Sequence, residues 1–244
     1  RLGGQTIDLN PSVSQVGRGE PIEDTARVLS RYLNAVAIRT FAQSDLQAYA
    51  DAASIPIINA LTDLEHPCQA LADYLTMQEA FGSLEGLTMT YVGDGNNVAH
   101  SLLIAGALLG VNVRIGCPAG FYPLEEVVAQ AKAIAAGRSE IVISEDPAEA
   151  VRGAHAVYTD VWASMGQEEE QSTRVQAFRG FCVDEALMRH ADAKAIVLHC
   201  LPAHRGEEIS AEVMESSASR IFDQAENRLH AQQALLATLL GAEG

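Results

Sequence analysis

Residues 88–116 read TMTYVGDGNNVAHSLLIAGALLGVNVRIG and carry the clearest pattern of strands and helix in the chain. The apolar and β-branched run Thr88–Val92 predicts a strand, the period over Val98–Leu109 predicts a helix, and Val111–Gly116 predicts a second strand. A glycine turn joins the first strand to the helix. Two strands separated by one helix are typical of a parallel sheet, because parallel neighbours need a long crossover connection. The stretch therefore predicts an α/β fold.

The same alternation continues through the rest of the chain and predicts parallel sheets covered by helices on both faces. The further predicted strands are Gln5–Leu9, Val36–Arg39, Pro56–Asn59, Glu140–Ile143, Ala156–Tyr158 and Ala195–Leu198. The further predicted helices are Glu23–Tyr32, Ser44–Ala53, Pro67–Phe81, Leu124–Ala136, Pro147–Val151, Asp184–Arg189 and Asn227–Leu240. Ser44 and Asp184 are predicted to cap their helices. A break at residues 81–86 (FGSLEG) predicts two doubly wound domains, one on either side of it.

Composition restricts the class of protein. The 244 residues carry 16 Lys and Arg against 32 Asp and Glu, a formal net charge of −16, which argues against binding to nucleic acid. No apolar run approaches the ~18 residues of a membrane span, so no membrane partner is expected. Four cysteines without a CxxC pair are typical of a reducing cytoplasm and predict a cytoplasmic protein with no metal site: Cys68, Cys117, Cys182 and Cys200.

The first chemical motif is HPCQ, residues 66–69. Pro67 predicts the start of a helix, so His66 stands at its cap and Gln69 lies one turn further, on the same face. A neutral imidazole and a carboxamide at a helix N-terminus can hold a carbonyl oxygen on which negative charge grows. The alternative is that His66 only precedes a helix that Pro67 begins.

The second motif is GDGNN, residues 93–97, between the first strand and the helix of the opening stretch. It lacks the GxGxxG pattern, which argues against a nicotinamide dehydrogenase. Asn96 and Asn97 place carboxamides, each both donor and acceptor, at a helix start facing the predicted cleft. They suit the head group of an amino acid better than a pyrophosphate, although a plain turn remains the alternative.

The third motif is DVWASMG, residues 160–166. Asp160 follows a predicted strand, where a carboxylate can pair with a substrate ammonium group. Trp162 and the glycine that follows it predict a loop able to close over the cleft. The alternative for Asp160 is a role in capping or in the turn.

Two further motifs complete the set. In HCLPAHRG, residues 199–206, a buried strand ends at Cys200, and the bond between Leu201 and Pro202 is a candidate for the cis form. A thiol-protease function is rejected, because nothing supplies a helix N-terminus or an orienting partner for a thiolate. Cys200 can also be read as a small apolar residue. In FDQAENR, residues 222–228, Arg228 can bind phosphate or pair with a neighbouring carboxylate on the helix surface.

Taken in this order, HPCQ, GDGNN, DVWASMG, HCLPAHRG and FDQAENR resemble the motifs of the ornithine carbamoyltransferase family over essentially the whole chain. The resemblance implies transfer of a carbamoyl group from carbamoyl phosphate to the δ-amine of L-ornithine, giving L-citrulline and phosphate, with no metal or organic cofactor. It also implies homotrimers or multiples of trimers. The implied domains are 1–82 for carbamoyl phosphate, 83–217 for ornithine, and 218–244 as a C-terminal helix returning to the first.

The same resemblance implies a set of site residues. The carbamoyl-phosphate residues would be Gln15, Arg39, His66, Gln69, Cys200, Leu201 and Arg228, with Gln15 reaching a neighbouring subunit's phosphate site. The ornithine residues would be Asn97, Asp160, Ser164 and Met165. The residues expected to act on the reacting atoms are Arg39, His66, Gln69, Asp160, Cys200 and Arg228. No general base is identified.

One departure from the family pattern concerns the loop Ser-Thr-Arg-Thr-Arg, which is absent here. The opening RLGGQTIDLN resembles the text that follows it, so we expect the 244 residues to be part of a longer enzyme. A chain that begins at Arg1 is expected not to turn over carbamoyl phosphate. Two alternatives stay open: a non-catalytic relative that binds amino acids or oligomerises, and a transcarbamylase for putrescine or acetylornithine.

Overall fold

The computed structural model describes residues 1–10, 19–163 and 171–241, so the predicted site residues Gln15, Ser164 and Met165 lie outside the described residues. The strands are β1 Val36–Arg39, β2 Ile57–Leu61, β3 Thr88–Val92, β4 Asn112–Gly116, β5 Ile141–Ser144, β6 Ala156–Thr159 and β7 Ile196–His199. The helices are α1 Ile22–Leu29, α2 Gln43–Ala52, α3 Pro67–Phe81, α4 Asn97–Leu109, α5 Glu125–Ala135, α6 Pro147–Val151, α7 Gln171–Ala177, α8 Glu185–Met188, α9 Ala211–Met214 and α10 Ile221–Leu239.

The strands form two parallel sheets, which confirms the predicted α/β class. The larger sheet has the order β5-β4-β3-β6-β7, and the smaller pairs β1 with β2. In the larger sheet the order reverses at β3, so the loops that follow β3 and β6 open on the same crevice. Such a switch point at the carboxyl ends of parallel strands is where α/β folds bind ligands.

The stretch 88–116 forms the centre of the larger sheet. Every residue of β3 is buried, as expected of a strand covered on both faces. Asn96 caps α4 by accepting hydrogen bonds from the backbone N–H groups of Val98 and Ala99, at 3.0 and 3.2 Å. A side chain at Gly95 would place Cβ 2.1 Å from the backbone nitrogen of Pro123, so only glycine allows the loops after β3 and β4 to approach.

Helix α10 packs along α3, which confirms that the C-terminal helix returns to the first part of the chain. Besides apolar contact, Asn227 of α10 donates to Thr76 Oγ1 at 3.0 Å and to Glu79 Oε2 at 2.6 Å. At HPCQ itself, which begins α3, Gln232 of α10 donates to the backbone oxygen of Cys68 at 3.3 Å.

Several sequence predictions are wrong in detail. Gln5–Leu9 is not a strand: Ile7 and Leu9 are 67% and 47% exposed, and in the described part of the chain these residues have no neighbouring strand to pair with. Ser44 is not a cap, since α2 begins at Gln43 after Ala42. Helices α7 and α9 were not predicted, and α10 begins six residues before the predicted Asn227. Helices α7 and α9 are too short, and the first turn of α10 is too polar, for a helical period to be recognised in their sequences.

None of the helices in the described ranges combines the length and apolar character needed to cross a membrane.

Candidate functional site

One cavity of about 550 Å³ lies where the loops after β1, β2, β3, β6 and β7 meet. This volume is typical of a small-molecule site. Its wall includes seven of the predicted site residues: Arg39, His66, Asn97, Asp160, Cys200, Leu201 and Arg228. Residues separated by up to 189 positions in the chain are therefore brought together, as the cleft prediction required.

The start of α3 presents His66 to the cavity. His66 is the N-cap residue, but its side chain makes no capping hydrogen bond. Its backbone N–H donates to Ser101 Oγ at 2.7 Å, which ties the start of α3 to α4. Its Nδ1 atom is buried and has no hydrogen-bond partner among the described residues. A buried nitrogen of this kind is costly unless a ligand completes it, so the capping alternative does not account for His66.

Gln69 lies behind the wall rather than on it. Its side chain is 1% exposed, and Nε2 donates to Asp73 Oδ1 at 2.8 Å. The other end of the amide, Oε1, has no partner in the described part of the structure. Two buried polar atoms at the start of α3, His66 Nδ1 and Gln69 Oε1, therefore have no hydrogen-bond partner among the residues that the structure describes.

Two arginines give this end of the cavity its positive charge. Arg39 ends β1 and Arg228 lies in the middle of α10, not at its start as predicted. Burial, followed by the charges of Arg228 and Arg39, lowers the pKa of His66 to about 4. The imidazole is therefore neutral at physiological pH and can donate one hydrogen bond without carrying charge.

The surface-pair alternative for Arg228 is not what the structure shows. Asp223 approaches Arg220 at 3.9 Å, and Glu226 approaches His230 at 3.3 Å. Both candidate carboxylates are thereby directed to other partners, and Arg228 lines the cavity. A guanidinium group in that position suits phosphate, whose oxygens it can bind in pairs.

The wall of the cavity also includes the carboxylate of Asp160, which is 7% exposed. Its Oδ1 accepts from the thiol of Cys200 at 3.0 Å and from the N–H of Val161 at 2.8 Å. Its Oδ2 accepts from Asn96 Nδ2 at 3.2 Å. Because every neighbour donates, the carboxylate is held in a fixed orientation with lone pairs left over for a substrate cation.

Cys200 is a protonated thiol, not a nucleophile. Burial, the charge of Asp160 and the hydrogen bond to it raise the pKa of Cys200 well above its usual value. This agrees with the rejection of a thiol-protease function, because a nucleophilic cysteine needs a lowered pKa. The thiol belongs to the loop that continues into Leu201, and it donates to Asp160 across the cavity wall.

The loop after β7 is fixed by buried polar contacts. The bond between Leu201 and Pro202 is cis, as the sequence suggested, and Leu201 has a φ of 59°. His199 Nδ1 accepts from the N–H of Leu201 at 2.8 Å, so its Nε2 donates to Glu208 at 3.0 Å. Both ring nitrogens serve the loop, which leaves neither for a metal ion beside Asp160 and Cys200.

Asn97 joins the two parts of the chain at the rim of the cavity. Its Nδ2 donates to the backbone oxygen of Thr62, after β2, at 2.7 Å. One of the two N–H groups of the amide is therefore used, and the other N–H and the carbonyl oxygen can meet a ligand. Asn96 caps α4 and Asn97 is its first residue, so the two asparagines of GDGNN have different roles.

Sequence reasoning missed Arg174, which also lines the cavity. Its guanidinium donates to Asp94 Oδ2 at 2.7 Å and to the backbone oxygen of Trp162 at 3.0 Å, and it stacks over the ring of Phe121 at 5.1 Å. Arg174 sits outside every motif, in a short helix that was not predicted. The signal that could have found it was the buried carboxylate of Asp94, which needs a cation.

We expect Arg174→Met to lower the free energy of unfolding by about 3–5 kcal/mol, because it leaves Asp94 buried without its partner. The side chains of the pair are only 9% and 11% exposed. In urea denaturation the double variant Arg174→Met/Asp94→Asn should lose less than the sum of the single variants. Arg205→Met is the control, since its pair with Glu215 is exposed and should matter by less than about 1 kcal/mol. Additive losses would contradict a direct pair.

Comparisons with known proteins show the family to which the chain is similar. Residues 1–79 match the sequence profile described as aspartate/ornithine carbamoyltransferase, carbamoyl-P binding domain. Residues 85–239 match the profile described as aspartate/ornithine carbamoyltransferase, Asp/Orn binding domain.

Individual relatives are similar over almost the whole chain. The ornithine carbamoyltransferase of Parasynechococcus marenigrum is 73% identical over 241 residues, which cover 99% of this chain and 76% of the relative. The crystal structure of ornithine carbamoyltransferase from Gloeobacter violaceus is 55% identical with a TM-score of 0.88, covering 98% of this chain and 78% of that one. The enzyme from Pyrococcus furiosus is 49% identical with a TM-score of 0.95, over 100% of this chain and 78% of that one.

Proposed function

This chain belongs to the aspartate/ornithine carbamoyltransferase family, and from that premise we propose how its residues transfer a carbamoyl group from carbamoyl phosphate to L-ornithine. The products of this ornithine carbamoyltransferase reaction are L-citrulline and phosphate. The observation that carries the proposal is a single cavity whose wall holds two groups of opposite charge. Arg39 and Arg228 lie near neutral His66, and Asp160 accepts a hydrogen bond from Cys200.

Carbamoyl phosphate occupies the cationic side in this proposal. Arg39 and Arg228 bind the phosphate oxygens, and neutral His66 donates to the carbonyl oxygen of the carbamoyl group. Gln69 is buried and does not line the cavity, so in this proposal the wall opens locally on binding and lets its unpartnered oxygen meet the carbamoyl NH₂. Leu201 and Cys200 border the same group from the loop after β7.

Ornithine occupies the anionic side. Asp160 pairs with the α-ammonium group, and Asn97 offers its carbonyl oxygen to the same group. Ser164 and Met165, which lie outside the described residues, are proposed to hold the α-carboxylate. This set favours a free amino acid over putrescine, which lacks a carboxylate, and over acetylornithine, whose α-nitrogen carries no charge.

The reaction needs no covalent bond to the protein. The neutral δ-amine attacks the carbonyl carbon, a C–N bond forms, and the C–O bond to phosphate breaks. The electron pair of that bond leaves with phosphate, and the departing phosphate takes the proton that the amine loses. Holding two reactants in line can supply about 7–11 kcal/mol of the barrier, which suits a site without an ionised nucleophile.

The assembly and setting of the enzyme are also proposed. We infer a cytoplasmic homotrimer or a multiple of trimers, in which Gln15 reaches a neighbouring subunit's phosphate site. Exposed aromatic side chains around β1 support an interface on this part of the chain, with Tyr32 77% and Phe41 64% exposed. All four cysteines are free thiols, which supports a reducing compartment. Light scattering should give three times the subunit mass or a multiple of it.

The test measures the carbamoylated product that the purified enzyme forms from ornithine, putrescine or acetylornithine as the acceptor. We expect citrulline from ornithine and at most a few per cent of that rate with the other two. A second arm incubates enzyme, carbamoyl phosphate and labelled phosphate without ornithine. Direct attack predicts no label in carbamoyl phosphate, whereas exchange would demonstrate a carbamoyl-enzyme. No citrulline from ornithine would overturn the function.

A further inference from the structure

We propose that Asp73 is a positioning residue for carbamoyl selectivity. A buried chain of hydrogen bonds begins at the backbone N–H of His199, passes through Gln224 and Asp73, and fixes the carboxamide of Gln69 with its oxygen presented to the carbamoyl NH₂. The inference rests on the proposed role of Gln69 and adds what decides which end of its amide faces the substrate. Asp73 is not one of the site residues predicted from the sequence.

The first donor of this hydrogen-bond chain is a backbone N–H group, which cannot act as an acceptor. The backbone nitrogen of His199 lies 2.9 Å from Gln224 Oε1, and a backbone N–H can only donate. The oxygen of Gln224 must therefore face β7, and its NH₂ group must face the other way. Nε2 of Gln224 indeed lies 2.6 Å from Asp73 Oδ1.

Asp73 transmits this polarity to α3. Its Oδ1 atom receives the NH₂ of Gln224 and also lies 2.8 Å from Nε2 of Gln69. Because that oxygen is an acceptor toward Gln224, the end of Gln69 that faces it must also be the NH₂ group. The nitrogen and oxygen of a carboxamide have nearly the same shape, and only such a partner distinguishes them.

The consequence falls on the free end of Gln69. Its Oε1 atom is buried and has no hydrogen-bond partner among the described residues, and burying an unpaired acceptor is unfavourable. The carbamoyl NH₂ is a donor that can complete it, whereas the methyl group of acetyl phosphate cannot. A fixed Oε1 therefore selects carbamoyl phosphate over an acyl phosphate of similar size.

The carboxyl of Asp73 fixes this polarity when it is ionised, because both of its oxygens are then acceptors. Burial raises its pKa to about 7, and the hydrogen bonds from both glutamines and the charge of Arg228 on α10 oppose the shift. The polarity is therefore fixed most firmly above pH 7.

A purely structural role for Asp73 is the competing explanation, in which the carboxyl only ties α3 to α10. The two helices have other polar ties, from Asn227 to Thr76 at 3.0 Å and to Glu79 at 2.6 Å. Loss of Asp73 should therefore leave the helices packed, which makes its effect on substrate selectivity measurable.

The experiment compares Asp73→Leu, which removes the acceptor, with Asp73→Asn, whose oxygen can still accept from both glutamines. In the purified enzyme we measure kcat, the KM of carbamoyl phosphate and of ornithine, and the Ki of acetyl phosphate as a competitive inhibitor. Asp73→Leu should raise the KM of carbamoyl phosphate about tenfold or more and change the Ki of acetyl phosphate about twofold or less. Asp73→Asn should stay within about threefold of the wild type in both.

Two further variants decide between explanations. Gln224→Leu breaks the hydrogen-bond chain at its first side chain. Like Asp73→Leu, it should lower the selectivity ratio, which is the Ki of acetyl phosphate divided by the KM of carbamoyl phosphate. Gln224→Leu still tests the inference if Asp73→Leu does not fold. An unchanged ratio in both variants, with only a lower thermal midpoint, would show a structural tie and overturn the inference. So would Asp73→Asn behaving like Asp73→Leu. Gln69→Leu tests the proposed role of Gln69 separately. If Gln69→Leu leaves the selectivity ratio unchanged, the proposed role of Gln69 is wrong. If Gln69→Leu lowers the ratio while Asp73→Leu and Gln224→Leu do not, only the positioning role of the hydrogen-bond chain is wrong.

Discussion

Arg228→Met is expected to lower kcat/KM for carbamoyl phosphate by about 100- to 1,000-fold, because it removes a well-placed donor to the charge that develops on the departing phosphate. Arg228 lines the cavity from α10, and its charge also helps to lower the pKa of His66, after the larger effect of burial. Without Arg228 the pKa of His66 rises from about 4 toward its usual value. More of the imidazole is then protonated at pH 6 than at pH 8. The loss of activity should therefore be greater at pH 6.

Arg205→Met is the matched control for this experiment. It removes an arginine whose ion pair with Glu215 lies at the surface, and citrulline formation should stay within about twofold of the wild type. Steady-state kinetics at pH 6 and pH 8, with circular dichroism to check folding, provide the measurement. A folded Arg228→Met enzyme with normal kcat/KM would place the phosphate elsewhere.

Asp160→Asn is expected to raise the KM of ornithine by about 100- to 1,000-fold while the KM of carbamoyl phosphate changes little. The thiol of Cys200, the N–H of Val161 and the amide of Asn96 all donate to the carboxylate of Asp160. An asparagine would point its own NH₂ at one of these donors, and it would remove the charge that pairs with the α-ammonium group. Both effects oppose binding of ornithine.

The control is Asp223→Asn on α10, an exposed carboxylate that lies 3.9 Å from Arg220. It removes the same charge outside the cavity and should leave both KM values unchanged. Initial rates over a matrix of both substrates separate the two constants. An equal rise in both KM values would indicate damage to the cavity as a whole and would contradict the assignment of Asp160 to ornithine.

The central part of the fold followed from local sequence. Strand β3 and helices α3 and α6 have the predicted boundaries, and β1 matches as well. These elements have strong periods and clear start signals, such as Pro67 at the beginning of α3. The strand prediction at Gln5–Leu9 failed because a β-branched run becomes a strand only where a neighbouring strand pairs with it.

The motifs identified which residue types meet in the site, and their place after strands predicted a shared cleft. That much is a property of the sequence, because parallel strands collect their carboxyl ends along one edge. The sequence did not determine the partners within the site. Arg174 and Asp94 are 80 positions apart, and Gln224 and Asp73 are 151 positions apart.

The direction of each hydrogen bond and the electrostatic state of each group depend on the tertiary structure. His66 is neutral because burial and two arginines from distant elements surround it, and Cys200 is protonated because burial and Asp160 oppose the thiolate. Gln69 has an orientation because a backbone N–H of β7 fixes Gln224, which fixes Asp73. Local sequence encodes strands and helices through short-range periods, whereas charge and hydrogen-bond polarity depend on neighbours that only folding brings within a few ångströms.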